Sequence, residues 1–137
     1  MKRLVGQLFV GLLVAASSPV MAAQCHYFWT TDCFEIRDAR TRDITHHVLL
    51  SSRPYDAGEA EAGQCPALVD SQLDDDHRER VLKRFNKVLR RLDGCEQVDD
   101  LTPRIFEDGV SATEEWRRLH QERNFKLPHI IRRLPED

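Results

Sequence analysis

Residues 72–94 read QLDDDHRERVLKRFNKVLRRLDG, and their apolar spacing decides the fold. Val81, Leu82, Phe85, Val88, Leu89 and Leu92 recur at steps of one, three and four, which gathers them on one stripe of an α-helix. Asp74-Asp75-Asp76 stands at the start, where negative charge complements the helix dipole, and Arg90-Arg91 stands at the end. Gly94 is placed to take the left-handed conformation that closes a helix. The pattern predicts one long helix over Gln72–Asp93. Away from the stripe lie Arg80, Lys83, Arg84, Lys87, Arg90 and Arg91. Glu79 and the acidic start dilute their field, so they read as a solvated face rather than a site for phosphate or anionic lipid.

Strand signals lie upstream. His26-Tyr27-Phe28-Trp29-Thr30-Thr31 is aromatic and β-branched, and Phe34-Glu35-Ile36-Arg37 alternates apolar with charged residues. After the polar turn Asp38–Asp43, the run Ile44–Leu50 places Ile44, Val48 and Leu50 on one face, which predicts a hairpin with the preceding strand. Arg53 to Gly63 breaks the pattern. Pro54, Gly58 and Gly63 punctuate small and acidic residues there, so the segment reads as a surface loop.

Downstream, Thr102-Pro103 predicts a short helix ending at Gly109. Ser111-x-x-Glu114 has capping-box spacing and predicts a second helix through Asn124, with Trp116 and Leu119 facing inward and Pro128 stopping it. Ile130, Ile131 and Leu134 give the tail enough apolar character to dock as a strand or a turn of helix. The expected architecture is a single α+β domain: a small N-terminal antiparallel sheet packed on one long amphipathic helix, completed by shorter C-terminal helices and stabilised by disulfides.

The first residues set the compartment. Lys2-Arg3, the apolar run Leu4–Ala16 and small residues closing at Val20-Met21-Ala22-Ala23 have the order of a secretory signal peptide. Cleavage after Ala22 or Ala23 is expected, with Ala22 preferred, which divides the chain into residues 1–22 and a domain over residues 23–137. Gln24 before Cys25 argues against lipid attachment. The apolar run is too short to span a bilayer, and no second run approaches the length needed, so the mature chain is expected to make no stable membrane insertion. The basic start points to a bacterium and hence the periplasm, with release to the medium as the alternative.

Four cysteines, Cys25, Cys33, Cys65 and Cys95, follow that leader. None forms a C-x-x-C, so zinc, thioredoxin-like and haem-attachment motifs are missing, and structural disulfides are expected. Three pairings exist. Geometry favours Cys25–Cys33 with Cys65–Cys95, and next Cys33–Cys65 with Cys25–Cys95. The histidines are scattered. His46 and His47 point to opposite faces of a strand, no H-E-x-x-H is present, and the Asp74–Asp76 run lacks the alternation of a calcium loop. No metal or other cofactor is expected.

Function is less legible. Twenty Lys+Arg against 23 Asp+Glu gives a net charge of −3, and removing Lys2 and Arg3 makes it more negative, so nucleic acid is not an expected partner. There is no G-x-S-x-G elbow or Gly-rich phosphate loop, so no catalytic residues are assigned. Size, export and disulfides point to a small exported protein-binding domain, such as a periplasmic inhibitor or an immunity protein neutralising a secreted toxin. The alternative is a small exported hydrolase acting on cell wall or phospholipid. For the binder, the partner contact is expected at Tyr55, Asp56, Glu59 and Glu61, one aromatic anchor among three acids.

Overall fold

The computed structural model describes residue 19, residues 21–38, residues 40–121 and, by backbone alone, residues 129–133. Of the expected signal peptide, residues 1–22, residues 1–18 and residue 20 fall outside them, as do the expected helix end at Asn124, the stop at Pro128 and the docking of Leu134.

The fold is α+β and grows from one long antiparallel hairpin bent in its middle. Its first arm is β1 (Ala22–Phe28) followed by β2 (Thr30–Ile36), and its second is β3 (Ile44–Ser51) followed by β4 (Tyr55–Glu61). β2 pairs with β3 and β1 with β4, so the ladder continues through the bend with a shift of one residue. At the bend Trp29 N donates to Ser52 Oγ (2.9 Å), and Ser52 N donates to Trp29 O (3.0 Å). Pro54, which has no N–H, cannot continue the ladder. The aromatic run therefore lies across two strands, broken at Trp29. The predicted hairpin is present as the far half of this structure.

β4 corrects the expectation of a surface loop at Arg53–Gly63. Ala57, Gly58 and Ala60 have poor strand propensity, but the facing strand β1 supplies the partner that local sequence does not show. Gly58 (φ 98°) lies at the register shift that pairs it with Cys25 while Asp56 pairs with His26, a bulge that a side chain would strain. A second bulge, between the pairs Glu35–His46 and Ile36–Ile44, takes Ile44 off the predicted inward face. Ile44 is exposed, whereas Val48 and Leu50 are fully buried.

Two further strands widen the hairpin. β5 (Arg104–Phe106) pairs antiparallel with β1, giving the order β4-β1-β5, and β6 (His129–Arg133) pairs parallel with β3, giving β2-β3-β6. The helix expected to start at Thr102-Pro103 is thus corrected to a strand: its aromatic end, Phe106, stacks on Phe28 of β1 at 5.4 Å. The tail docks as a strand.

The helix predicted over Gln72–Asp93 is α2 (Asp75–Leu89), shorter at both ends, and a helix that the sequence reading did not predict, α1 (Cys65–Gln72), precedes it. Leu73 leaves the helical region and buries its side chain, and Asp74 caps α2 by accepting from His77 N at 2.7 Å. Arg78 spans the break, donating to Leu73 O (3.0 Å) and Asp70 Oδ1 (2.6 Å). Most of the predicted stripe is in the core: Val81, Phe85, Leu89 and Leu92 are buried and Val88 packs against them, whereas Leu82 is only half-buried. Gly94 has φ 86°, as its position requires. α3 (Gly109–Gln121) is capped by Asp108, which accepts from Ser111 N and Oγ, so Ser111 is the capped residue rather than the cap.

Side chains alternate across the bent hairpin. Ala23, Cys25, Tyr27, Trp29, Val48 and Leu50 share one core with α1 and the α2 stripe. On the opposite face, α3 packs on β1 and β5, and Trp116 Nε1 donates to Ser51 Oγ and Ser52 O at the bend, both 3.1 Å. The disulfides are Cys25–Cys65 and Cys33–Cys95, with Cα separations of 5.3 and 5.5 Å. Neither expected pairing occurs. Cys25 and Cys33 lie on opposite sides of the bend, so each bonds the helical segment over its own half: Cys65 opens α1 above β1, and Cys95 follows α2 beside β2. Ile36 N, donating to Asp93 O at 2.7 Å, fastens the same end.

Candidate functional site

The bend that divides the hairpin also opens a recess. Tyr27 and Trp29 reach it from the first arm, and Arg53 and Tyr55 from the second. His77, Val81 and Arg84 come from α2, where steps of four and three put them on one side of the helix. The recess encloses about 330 Å³, within the range of small-ligand pockets.

Its walls are aromatic and its charge is basic. Tyr27 packs on Tyr55 with ring centres 5.4 Å apart and meets Trp29 edge-on at 6.4 Å. The Arg53 guanidinium lies over the Tyr55 ring, 5.7 Å from its centre, a cation–π geometry that holds the fork at the rim. Burial, and then the neighbouring Tyr55, push the Tyr27 phenol above its ordinary value, so it is a hydrogen-bond donor and not a base at neutral pH. Trp29 is buried, and its Nε1 has no hydrogen-bond partner among the described residues. Among the described residues, no carboxylate, thiol or aliphatic hydroxyl lines the recess. Such a set can bind an anionic group through guanidinium forks.

Of the residues expected to contact a partner, the structure brings Tyr55 to this recess and leaves the others along β4. Asp56, Glu59 and Glu61 are exposed on a strand at the edge of its sheet. Asp56 accepts from Gln24 Nε2 (2.7 Å) and Gly58 N (2.8 Å), which together hold its carboxyl below the usual range, the Gly58 bond first. Charges on such an edge obstruct pairing with another chain, a structural role that needs no ligand. Sequence reading missed Arg53, His77 and Arg84, because the basic residues of α2 look alike until the hairpin shows which of them it faces. The one available signal was the His77–Val81–Arg84 spacing.

Other constellations are structural. His47 Nε2 lies 2.9 Å from Asp32 Oδ2, but the imidazole is 3% exposed and the carboxylate 61%. A catalytic pair reverses this, burying the acid and presenting the imidazole to substrate. Among the described residues no three His, Cys, Asp or Glu side chains gather as metal ligands, and no helix is long and apolar enough to cross a membrane. Two disulfides with no free cysteine indicate an oxidising, exported environment. Comparison of the chain with known protein families, curated protein sequences and solved structures finds no match.

Proposed function

We propose that this chain is an exported, periplasmic binding domain, synthesised with a cleavable leader, that recognises an acidic group of another protein at the recess in its bent hairpin. One observation carries the reading: two guanidinium groups and an imidazole converge with three aromatic rings, and none of the described residues lining the recess is an acid. In an inhibitor or immunity protein, such a surface would hold the target. The aromatic walls lower the local dielectric, so each Arg–carboxylate contact there gains more than it would on an open surface. The acidic β4 edge beside it selects orientation, since a partner must present its own acid to the recess and not to Asp56, Glu59 or Glu61.

The test uses a partner recovered from periplasmic extract. Arg53→Gln with Arg84→Gln should weaken binding at least about tenfold, the effect of losing charge-assisted hydrogen bonds. Changing Asp56 to Asn and Glu59 and Glu61 to Gln should alter chiefly the association rate and its salt dependence. If the β4 triple variant loses binding and the arginine variant keeps it, the contact is the strand edge and the recess reading fails.

A further inference from the structure

We infer that the turn between β2 and β3, together with the end of α2, docks the protein on an anionic lipid surface, against which it lies without inserting. This surface is separate from the recess and goes beyond the binding of a partner's acid there.

Two distant stretches of sequence supply its charge. Arg37, Arg40 and Arg42 belong to the turn, and Lys87, Arg90 and Arg91 to the end of α2. Ile36 N, donating to Asp93 O at 2.7 Å, brings these stretches to one end of the molecule. All six side chains are exposed, and among the described residues none makes a hydrogen bond or ion pair. The acids of the turn are engaged within it. Asp38 accepts from Arg40 N (2.8 Å) and Thr41 N (3.2 Å), and Asp43 accepts from Thr41 Oγ1 (2.6 Å). Asp93 and Glu96 are the other exposed acids close in sequence, so the cations outnumber the carboxylates. The far end of α2 carries Asp74, Asp75 and Asp76, which leaves the positive pole at the turn and lets an anionic surface orient the molecule by it. Alone, α2 offers only a solvated basic face; the arginines of the turn make it one side of a larger patch.

Apolar surface adjoins the charge. Side chains alternate along β2, so Cys33 turns towards Cys95 while Phe34 and Ile36 share the other face. Ile44 stands opposite Ile36 and joins that face. Phe34 is 44% exposed and Ile44 46%. An aromatic ring and an aliphatic side chain beside unpaired arginines fit a lipid interface, where apolar groups enter the headgroup layer and guanidinium groups meet phosphates. A turn and a helix end are convex, which suits a broad flat surface better than a partner's cleft.

The experiment is co-sedimentation of the oxidised protein, recovered from periplasm, with vesicles. Vesicles of phosphatidylethanolamine with phosphatidylglycerol should carry the protein down, vesicles of phosphatidylcholine should not, and added salt should release it. Arg37→Gln, Arg40→Gln and Arg42→Gln together should weaken binding at least about tenfold, and Ile44→Ser at least about threefold with the salt dependence kept. Arg117→Gln, on the exposed side of α3, should change nothing. All these positions are exposed, so each variant should melt with the unsubstituted protein. No binding to the anionic vesicles, equal binding to both kinds, or full binding by the triple variant or by Ile44→Ser overturns the inference. Loss of a captured protein partner by the triple variant, with no vesicle binding by the unsubstituted protein, also overturns it and gives the surface to an acidic protein. The recess is read independently, by Arg53→Gln with Arg84→Gln.

Discussion

Phe85 has no exposed surface and stands in the middle of the α2 stripe, packed in one core with Trp29, Val48 and Leu50. Its truncation to alanine should cost about 3–5 kcal/mol, the range for emptying a core aromatic site. Lys87→Ala, on the exposed face of the same helix, should stay within about 0.5 kcal/mol, and urea denaturation of both variants checks the contrast. Gly94 makes a different demand. It has φ 86°, and a Cβ there would stand 2.7 Å from Ile36 Cγ1. Gly94→Ala should therefore destabilise by more than about 1 kcal/mol, since backbone strain adds to the collision. Most of the stripe and the left-handed conformation of Gly94 were legible in the sequence, because both are local properties, although α2 itself ends earlier, at Leu89. Arg84 was not. It carries the same side chain as Arg80 and Arg91, and only the neighbouring hairpin arm distinguishes it.

Among the elements, α3 shows how a cap sets pH dependence. Ser111 N and then the Ser111 hydroxyl, donating to Asp108, hold its carboxyl below the ordinary range. A carboxyl lowered in the folded state contributes stability that is fully present above its unfolded pKa, near ~4, and lost as pH falls through the folded value. Asp108→Asn should then be less stable than the unsubstituted protein at pH 7, with the difference shrinking as the pH is lowered through the acid range in thermal unfolding. A pH-independent difference would mean that the charge of Asp108 plays no part. The elements that sequence alone misassigned share a cause. β4 is made of small and acidic residues, and β5 of three residues behind a proline, so each depends on the facing β1 for its hydrogen bonds. The start of α2 was misplaced because the triple aspartate suits a helix start at any of its positions, and the buried side chain of Leu73 decides which one is used.

For the whole molecule, the bend organises both stability and site. Helices α1 and α2 cover one face and α3 the other, and each disulfide joins one half of the bent hairpin to the helical segment above it. The favoured sequence-based pairings failed because they treated Cys25 and Cys33 as neighbours in one hairpin, whereas the bend at Trp29 sends them to different sheets. The same bend opens the recess, so connectivity, fold and proposed site stand or fall together. Peptide mapping of the unreduced protein recovered from periplasm tests this most directly. The account predicts a mature chain beginning at Ala23, with Cys25 linked to Cys65 and Cys33 linked to Cys95. A Cys25–Cys33 linkage, or four free thiols on a chain that retains Met1, would contradict it.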